Sequence, residues 1–184
     1  MIIGITGTDG AGKGAVVDHL VKRHNFVHYS SRASIEAEII ARGIPGTREN
    51  LRLVANDMRK RSGRDVLVAR ALEQIAADGV QNAVIESIRA LAEVETLVAE
   101  GGILLAVDAD SKVRYRRISG RKSSSDNVTY AEFIAHEELE MQDADPNGMQ
   151  KAAVMKAADF TIMNNQSLAQ LRKKVDAVLA SLAV

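Results

Sequence analysis

Seven residues near the start of the chain, Gly7-Thr8-Asp9-Gly10-Ala11-Gly12-Lys13, have the G-x-x-x-x-G-K spacing of a phosphate-binding loop. Glycines let a backbone turn its N–H groups inward around phosphate oxygens, and a helix starting directly behind them adds partial positive charge. Lys13 would bring a full charge to the β- and γ-phosphates of ATP, while a larger residue at Gly7 or Gly12 would intrude on the wrapped backbone. Gly14 occupies the place where a Ser or Thr hydroxyl ordinarily ligates Mg²⁺, and Ala15 beside it has no hydroxyl either. An accompanying Mg²⁺ therefore rests on phosphate oxygens, water and carboxylates such as Asp9, Glu86 or Asp108.

Arginines supply the second kind of chemistry. Arg89 follows Glu86 by three residues, and its planar fork suits a phosphate on an acceptor, with Glu86 offering a carboxylate beside the loop. Arg117 and Arg121 are four apart, placed to swing over phosphates and neutralise charge on a transferring group; a solvated basic face is the plainer reading, extended by Arg114, Arg116 and Lys122. Arg32, Arg48, Arg52 and Arg59 are further candidates to hold an acceptor. Asp9 either assists the acceptor or the metal, or is a turn residue. His19 and His24 read as surface or packing residues.

These groups need a scaffold that brings distant segments to one rim. Apolar runs at Ile2–Ile5, Phe26–Tyr29, Ala83–Ile85, Ile103–Val107 and Phe160–Met163 predict five strands. Helical spacing fills the gaps: residues 13–24, a helix through Ile35 and Ile40 that stops at Arg42-Gly43, then 47–60, 65–77, 91–99, 112–119, 129–141, a short one near Ala152, and 167–182. Thr129-x-x-Glu132 and Ser167-x-x-Gln170 have capping-box spacing, and Asp145 to Gly148 reads as a turn. Strands joined by helical crossovers imply a three-layer α/β/α fold with a parallel five-stranded sheet, in which ligands bind beyond the carboxyl ends of the strands. The loop, Glu86 to Arg89 and Asp108 should share that rim. Residues 1–184 read as one domain, with a basic helical insert at about 30–80 and a polar lid at about 117–130.

Composition narrows the function. The 184 residues contain 24 Lys plus Arg and 24 Asp plus Glu, so no whole-protein field favours a nucleic acid polymer or an anionic membrane. Cysteine is absent, which removes disulfides, thiolate catalysis and cysteine metal sites. No apolar stretch of about 18 residues and no leader-like segment is present in the sequence, so a cytoplasmic protein, monomer or homodimer, is expected.

The Gly12-Lys13-Gly14 ending resembles the loop of adenylate and cytidylate kinases, within the P-loop nucleoside monophosphate kinases, and Thr8 to Lys13 is similar to thymidylate kinase loops. Glu86-Ser87-Ile88-Arg89 resembles, one residue shorter, the Asp-Gly-x-Pro-Arg segment in which an acid orients a metal-bound water and an arginine holds the acceptor phosphate. Asp108 to Arg121 resembles the kinase segment that leads from a strand into an arginine-bearing lid. Ala158 to Asn165, with Leu168 and Leu171, resembles the C-terminal end of dephospho-coenzyme A kinases. The resemblance implies a P-loop NTPase-type fold and ATP- and Mg²⁺-dependent phosphoryl transfer to a small phosphorylated acceptor, foremost a nucleoside or deoxynucleoside monophosphate. Dephospho-coenzyme A as acceptor, or a nucleotide-binding regulator with little turnover, are the alternatives. On this reading Lys13, Arg89, Arg117 and Arg121 are catalytic. Gly7 to Ala15 and Arg117 bind ATP, Asp9, Arg32, Arg48 and Arg89 bind the acceptor, and Glu86 and Asp9 attend the metal.

Overall fold

The computed structural model describes residues 1–120, 128–141 and 147–182, and in it the short apolar runs pair into one sheet. Strands β1 (Ile2–Gly7), β2 (Val27–Ser30), β3 (Ala83–Glu86), β4 (Ile103–Asp108) and β5 (Phe160–Met163) lie in the order β2-β3-β1-β4-β5, and every neighbouring pair is parallel. Helical crossovers return the chain each time, as parallel pairing demands. Helix α1 (Lys13–His24) joins β1 to β2. The insert between β2 and β3 consists of α2 (Ser31–Ala41), α3 (Arg48–Ser62) and α4 (Val66–Asp78). Next come α5 (Leu91–Ala99), then α6 (Ser111–Ser119), α7 (Tyr130–Met141) and α8 (Lys151–Lys156) between β4 and β5, and finally α9 (Leu168–Leu182). This is the expected five-stranded parallel α/β/α fold of P-loop type.

Alternation along the strands sends side chains to both faces, and both are covered. Ile3, Ile5, Val84, Leu105 and Val107 pack against Val16, Val17 and Leu20 of α1 and Leu171 and Val175 of α9. Ala83, Ile85 and Leu104 meet Val68 and Ile75 of α4, Val94 and Leu97 of α5 and Val154 of α8. The insert closes around its own cluster of Ile39, Val54, Met58, Val66 and Leu67. Each Val, Leu, Ile or Met side chain among them contributes roughly 1.5–3 kcal/mol when fully buried.

Polar contacts tie these layers together. Glu93 of α5 is 0 % exposed and Arg59 of α3 is 3 % exposed; Glu93 Oε1 accepts from Arg59 Nε at 3.0 Å and Nη2 at 2.8 Å. Glu93 Oε2 accepts from the backbone N–H of Arg89 at 2.7 Å and of Ala90 at 3.1 Å, so one carboxylate fixes both the insert and the segment behind β3. Arg59, expected to hold an acceptor, makes this pair while also lining a cleft beside the insert. His19 and His24 of α1 both meet Asp176 Oδ1 of α9, at 2.6 and 2.8 Å. These contacts tie α1 to α9, and the two rings hold that carboxyl below its usual range.

Candidate active site

The loop forms because β1 runs directly into glycines at positive φ. Gly7 has φ +131, and a Cβ there would stand 1.9 Å from the carbonyl oxygen of Val107, on the neighbouring strand. Gly12, at φ +105, caps α1 and lies against Asn164, whose Nδ2 would be 2.5 Å from a Cβ. Neither position can take a side chain. Asn164 Nδ2 donates to the Ala11 carbonyl at 2.7 Å, and Thr8 Oγ1 donates to Asp108 Oδ1 at 2.5 Å. The end of β4 and the segment behind β5 thus hold the loop from one side.

Lys13 lies across the loop, donating to the carbonyls of Gly7 at 3.0 Å and Thr8 at 2.9 Å, with Asp9 Oδ1 at 3.5 Å. Burial pushes its ammonium down to about 8 against the pull of Asp9, and the charges of Arg89 and Lys151 push it the same way as burial. Gly14 has open space where a side chain would stand, within the first turn of α1.

Arg117 of α6 lies at the loop, but its guanidinium faces protein carbonyls. It donates to Gly10 at 3.4 Å, Ala11 at 3.3 Å and Asn164 at 2.9 Å. Helix α6 ends at Ser119, so the helical face expected to join Arg117 to Arg121 does not extend that far; Arg121 and the lid stretch 122–127 lie outside the described residues. The turn expected at Asp145-Pro146 is also outside them. Arg114, read from sequence as part of a solvated face, is 6 % exposed. It donates to the Ala109 carbonyl at 2.7 Å, pairs with Glu137 of α7, and lies 3.7 Å from Asp108. Its partners come from β4 and α7, so a run of basic letters around it offers no sign of burial.

On the acceptor side a single cleft of about 1290 Å³ runs from Asp9, Gly12 and Lys13 to the insert. Arg32, Arg52 and Arg89 line it, with Ile35, Leu51 and Leu67 as apolar wall. Arg32 is exposed and paired with Glu36 at 2.6 Å. The side chain of Arg48, at the start of α3, lies outside the described residues. Glu86 and Ser87 line the same cleft at the end of β3, and Ser87 has φ +76, the conformation that suits the glycine of the segment it resembles. His28 Nε2, 3.3 Å from Glu86 Oε2, holds that carboxyl below its ordinary value.

Glu140, which lines the cleft, and Lys151, buried behind it, escaped the sequence reading. Lys151, 1 % exposed on α8, reaches Glu140 Oε2 of α7 at 2.5 Å and Asp9 Oδ1 at 3.4 Å. Glu140 in turn lies 3.9 Å from Arg89 Nη1. A lysine opening a six-residue Ala-rich helix gives no sign of such a role in the sequence.

For Mg²⁺, the residues fit an ion held mainly by phosphate oxygens and water. Asp108 Oδ1 accepts from Thr8 and Ala109, Glu86 faces His28, and Asp9 Oδ1 lies between two lysines, so these carboxylates are engaged by protein donors.

An AAA-domain model matches residues 3–145. A UPF0200 protein of Pyrococcus horikoshii is 30 % identical over 190 residues, covering 99 % of this chain and 97 % of the relative. Among solved structures, shikimate kinase of Bacteroides thetaiotaomicron superposes with a TM-score of 0.63 at 16 % identity, covering 100 % of this chain and 99 % of its own. A gluconokinase of Sinorhizobium meliloti does so at 0.59 and 16 %, covering 98 % and 92 %. At those identities the two kinases speak to fold, which is that of small-molecule P-loop kinases, and a loop of this kind implies nucleotide binding. No helix among the described residues is long and apolar enough to cross a membrane. Matched over residues 3–145 by the AAA-domain model and over nearly its whole length by the Pyrococcus protein, the chain belongs to the UPF0200 family, an AAA domain on a P-loop kinase-like fold.

Proposed function

We propose that this protein is an ATP-dependent phosphotransferase whose acceptor is a small molecule already carrying a phosphate, with a nucleoside or deoxynucleoside monophosphate as the leading class. The observation that carries this reading is the one continuous cleft joining the loop to Arg32, Arg52 and Arg89, with an apolar wall in the insert. The three arginines suit an anionic group, and the apolar wall suits a base or another flat, weakly polar body.

In this reading Gly7 to Ala15 wrap the ATP phosphates and Lys13 leaves the loop carbonyls to meet the β- and γ-phosphates. Arg89, with Arg32 and Arg48, holds the acceptor phosphate, and Asp9 orients the acceptor side. Arg117 acts as a positioning residue: by taking the carbonyls of Gly10 and Ala11 it favours an inward aim of the loop's N–H groups. Arg121 neutralises charge from the lid. An acceptor phosphate oxygen, anionic at neutral pH, attacks the γ-phosphorus in line. The bond from that phosphorus to the β,γ-bridging oxygen breaks, and ADP leaves with the electron pair. No protein nucleophile is needed, because catalysis is positioning and charge stabilisation. Mg²⁺, attended by Asp9 and Glu86 through water, supplies further neutralisation of phosphate charge when bound.

The test is a panel of nucleoside and deoxynucleoside monophosphates, dephospho-coenzyme A, shikimate and gluconate with ATP and Mg²⁺, reading ADP release. Turnover on a phosphorylated acceptor, falling by about 10²–10³ in Lys13→Ala, is expected. Turnover confined to an unphosphorylated acceptor would overturn the acceptor class, and ATP binding with silence across the panel would favour a nucleotide-binding regulator.

A further inference from the structure

Five charges of alternating sign connect along the wall of the cleft, four lining it and Lys151 buried behind: Arg89, Glu140, Lys151, Asp9 and Lys13, with successive separations of 3.9, 2.5, 3.4 and 3.5 Å. Lys151 is the middle member and is the most deeply buried of the five. Its ammonium and that of Lys13 approach the same oxygen of Asp9. We propose that Lys151 is a positioning residue that serves as the standing counter-ion of Asp9, so that Lys13 is free to transfer from that carboxylate to the phosphates of the nucleotide. This rests on the reading of the loop as an ATP site.

The argument is one of charge. A carboxylate in the middle of a phosphate-binding loop faces the triphosphate at close range, and inside a partly dehydrated cleft that repulsion is poorly screened. Without Lys151, Asp9 would hold the loop lysine back more strongly, or would lose more of its compensation once the lysine moved. Lys151 removes that conflict, because α8 fixes it and Glu140 neutralises the rest of its charge. The proton affinity of Lys13, lowered first by burial, points the same way: Arg89 and then Lys151 also act on its ammonium as like charges, which favours its departure toward an incoming anion.

Removing Lys151 should therefore weaken nucleotide binding by way of Asp9. The experiment measures equilibrium binding of a fluorescent ATP analogue to the full chain in four forms: wild type, Lys151→Met, Asp9→Asn, and the double variant. Lys151→Met is expected to weaken binding about tenfold, a coupling within the range for contacting charges, while adding Asp9→Asn restores most of the loss. A lysine that merely held α8 in place would not be rescued by neutralising Asp9. Equal affinity in wild type and Lys151→Met, or an equally weak double variant, overturns the proposal. Should circular dichroism show Lys151→Met unfolded, Lys151→Met/Glu140→Gln removes both members of the buried pair and carries the same expectation. Wild type that binds no ATP analogue would instead refute the nucleotide site itself.

Discussion

Glu93 offers a demanding test of how the insert and the Arg89 backbone are held. Its buried carboxylate takes four donors, two from the Arg59 guanidinium and two from the backbone of Arg89 and Ala90. Glu93→Ala would leave a buried guanidinium, whose remaining named contact is the Asn147 carbonyl at 3.5 Å, and two N–H groups without acceptors. Breaking a buried pair from one side costs about 3–5 kcal/mol, and the orphaned N–H groups push the value toward the upper end, about 5 kcal/mol. Arg59→Met should be milder, about 3 kcal/mol, because the carboxylate keeps its two backbone donors. Replacing both residues, as Arg59→Met/Glu93→Ala, removes both charges of the pair and leaves the same two N–H groups without their acceptor, so the double variant should be more stable than Glu93→Ala alone. Urea unfolding of the four proteins by linear extrapolation measures each difference. Losses in the double variant equal to the sum of the single losses would show that the two side chains act independently, and the pairing argument would fail.

Other expectations follow from particular positions. Lys13, held at about 8 by burial, binds fewer protons in the folded chain than its ordinary value of 10.5 would give, so stability should rise with pH between about 8 and 10.5. Phosphates favour the ammonium, so ATP affinity should fall as pH climbs through about 8, with proton uptake measurable by calorimetry in buffers of different ionisation enthalpy; a flat profile to pH 9.5 would contradict the assignment. Gly14→Ser places a hydroxyl into open space in the first helical turn, and should leave the melting temperature unchanged or raised while tightening the Mg²⁺ dependence of ATP binding. Ser87→Gly relieves a left-handed backbone at φ +76 and should add about 1 kcal/mol, seen as about 2–4 °C in melting temperature; a lower value would mean that the Ser87 side chain contributes more than its strain costs.

Periodicity made the sheet and its crossovers readable because each strand is a short apolar run and each helix has a clear stop. Both capping boxes form: Glu132 N–H donates to Thr129 Oγ1 at 3.3 Å, and Gln170 N–H to Ser167 Oγ at 3.3 Å. The loop was readable because glycine at positive φ and lysine at a fixed offset leave a local signature. Lys151, Glu140, Arg114 and Arg59 were not, because burial depends on partners far along the chain. Lys151 lies 142 residues from Asp9 and Arg59 lies 34 from Glu93. A charged residue on a short helix looks the same whether it faces water or a buried carboxylate. Glu93 did carry a trace of its role, standing three residues after Ala90 as an acid in the first turn, but an alanine at the cap hides the usual pattern.

The ordering of these charges bears on substrate choice as much as on binding. Arg89 already has Glu140 within 3.9 Å, and Lys13 already has two carbonyls and Asp9. An incoming group must therefore offer each cation a better partner than the one it holds, and only the difference contributes to affinity. A neutral hydroxyl cannot draw a guanidinium from a carboxylate, whereas a phosphate, doubly charged and shaped for a bidentate fork, can. On the proposed function, competition within the cleft would thus discriminate against uncharged acceptors without any contact dedicated to rejecting them. It follows that Glu140→Gln, which frees Arg89 from its resident partner, should narrow the preference for phosphorylated over unphosphorylated acceptors in the panel. An unchanged ratio would place the discrimination elsewhere in the insert.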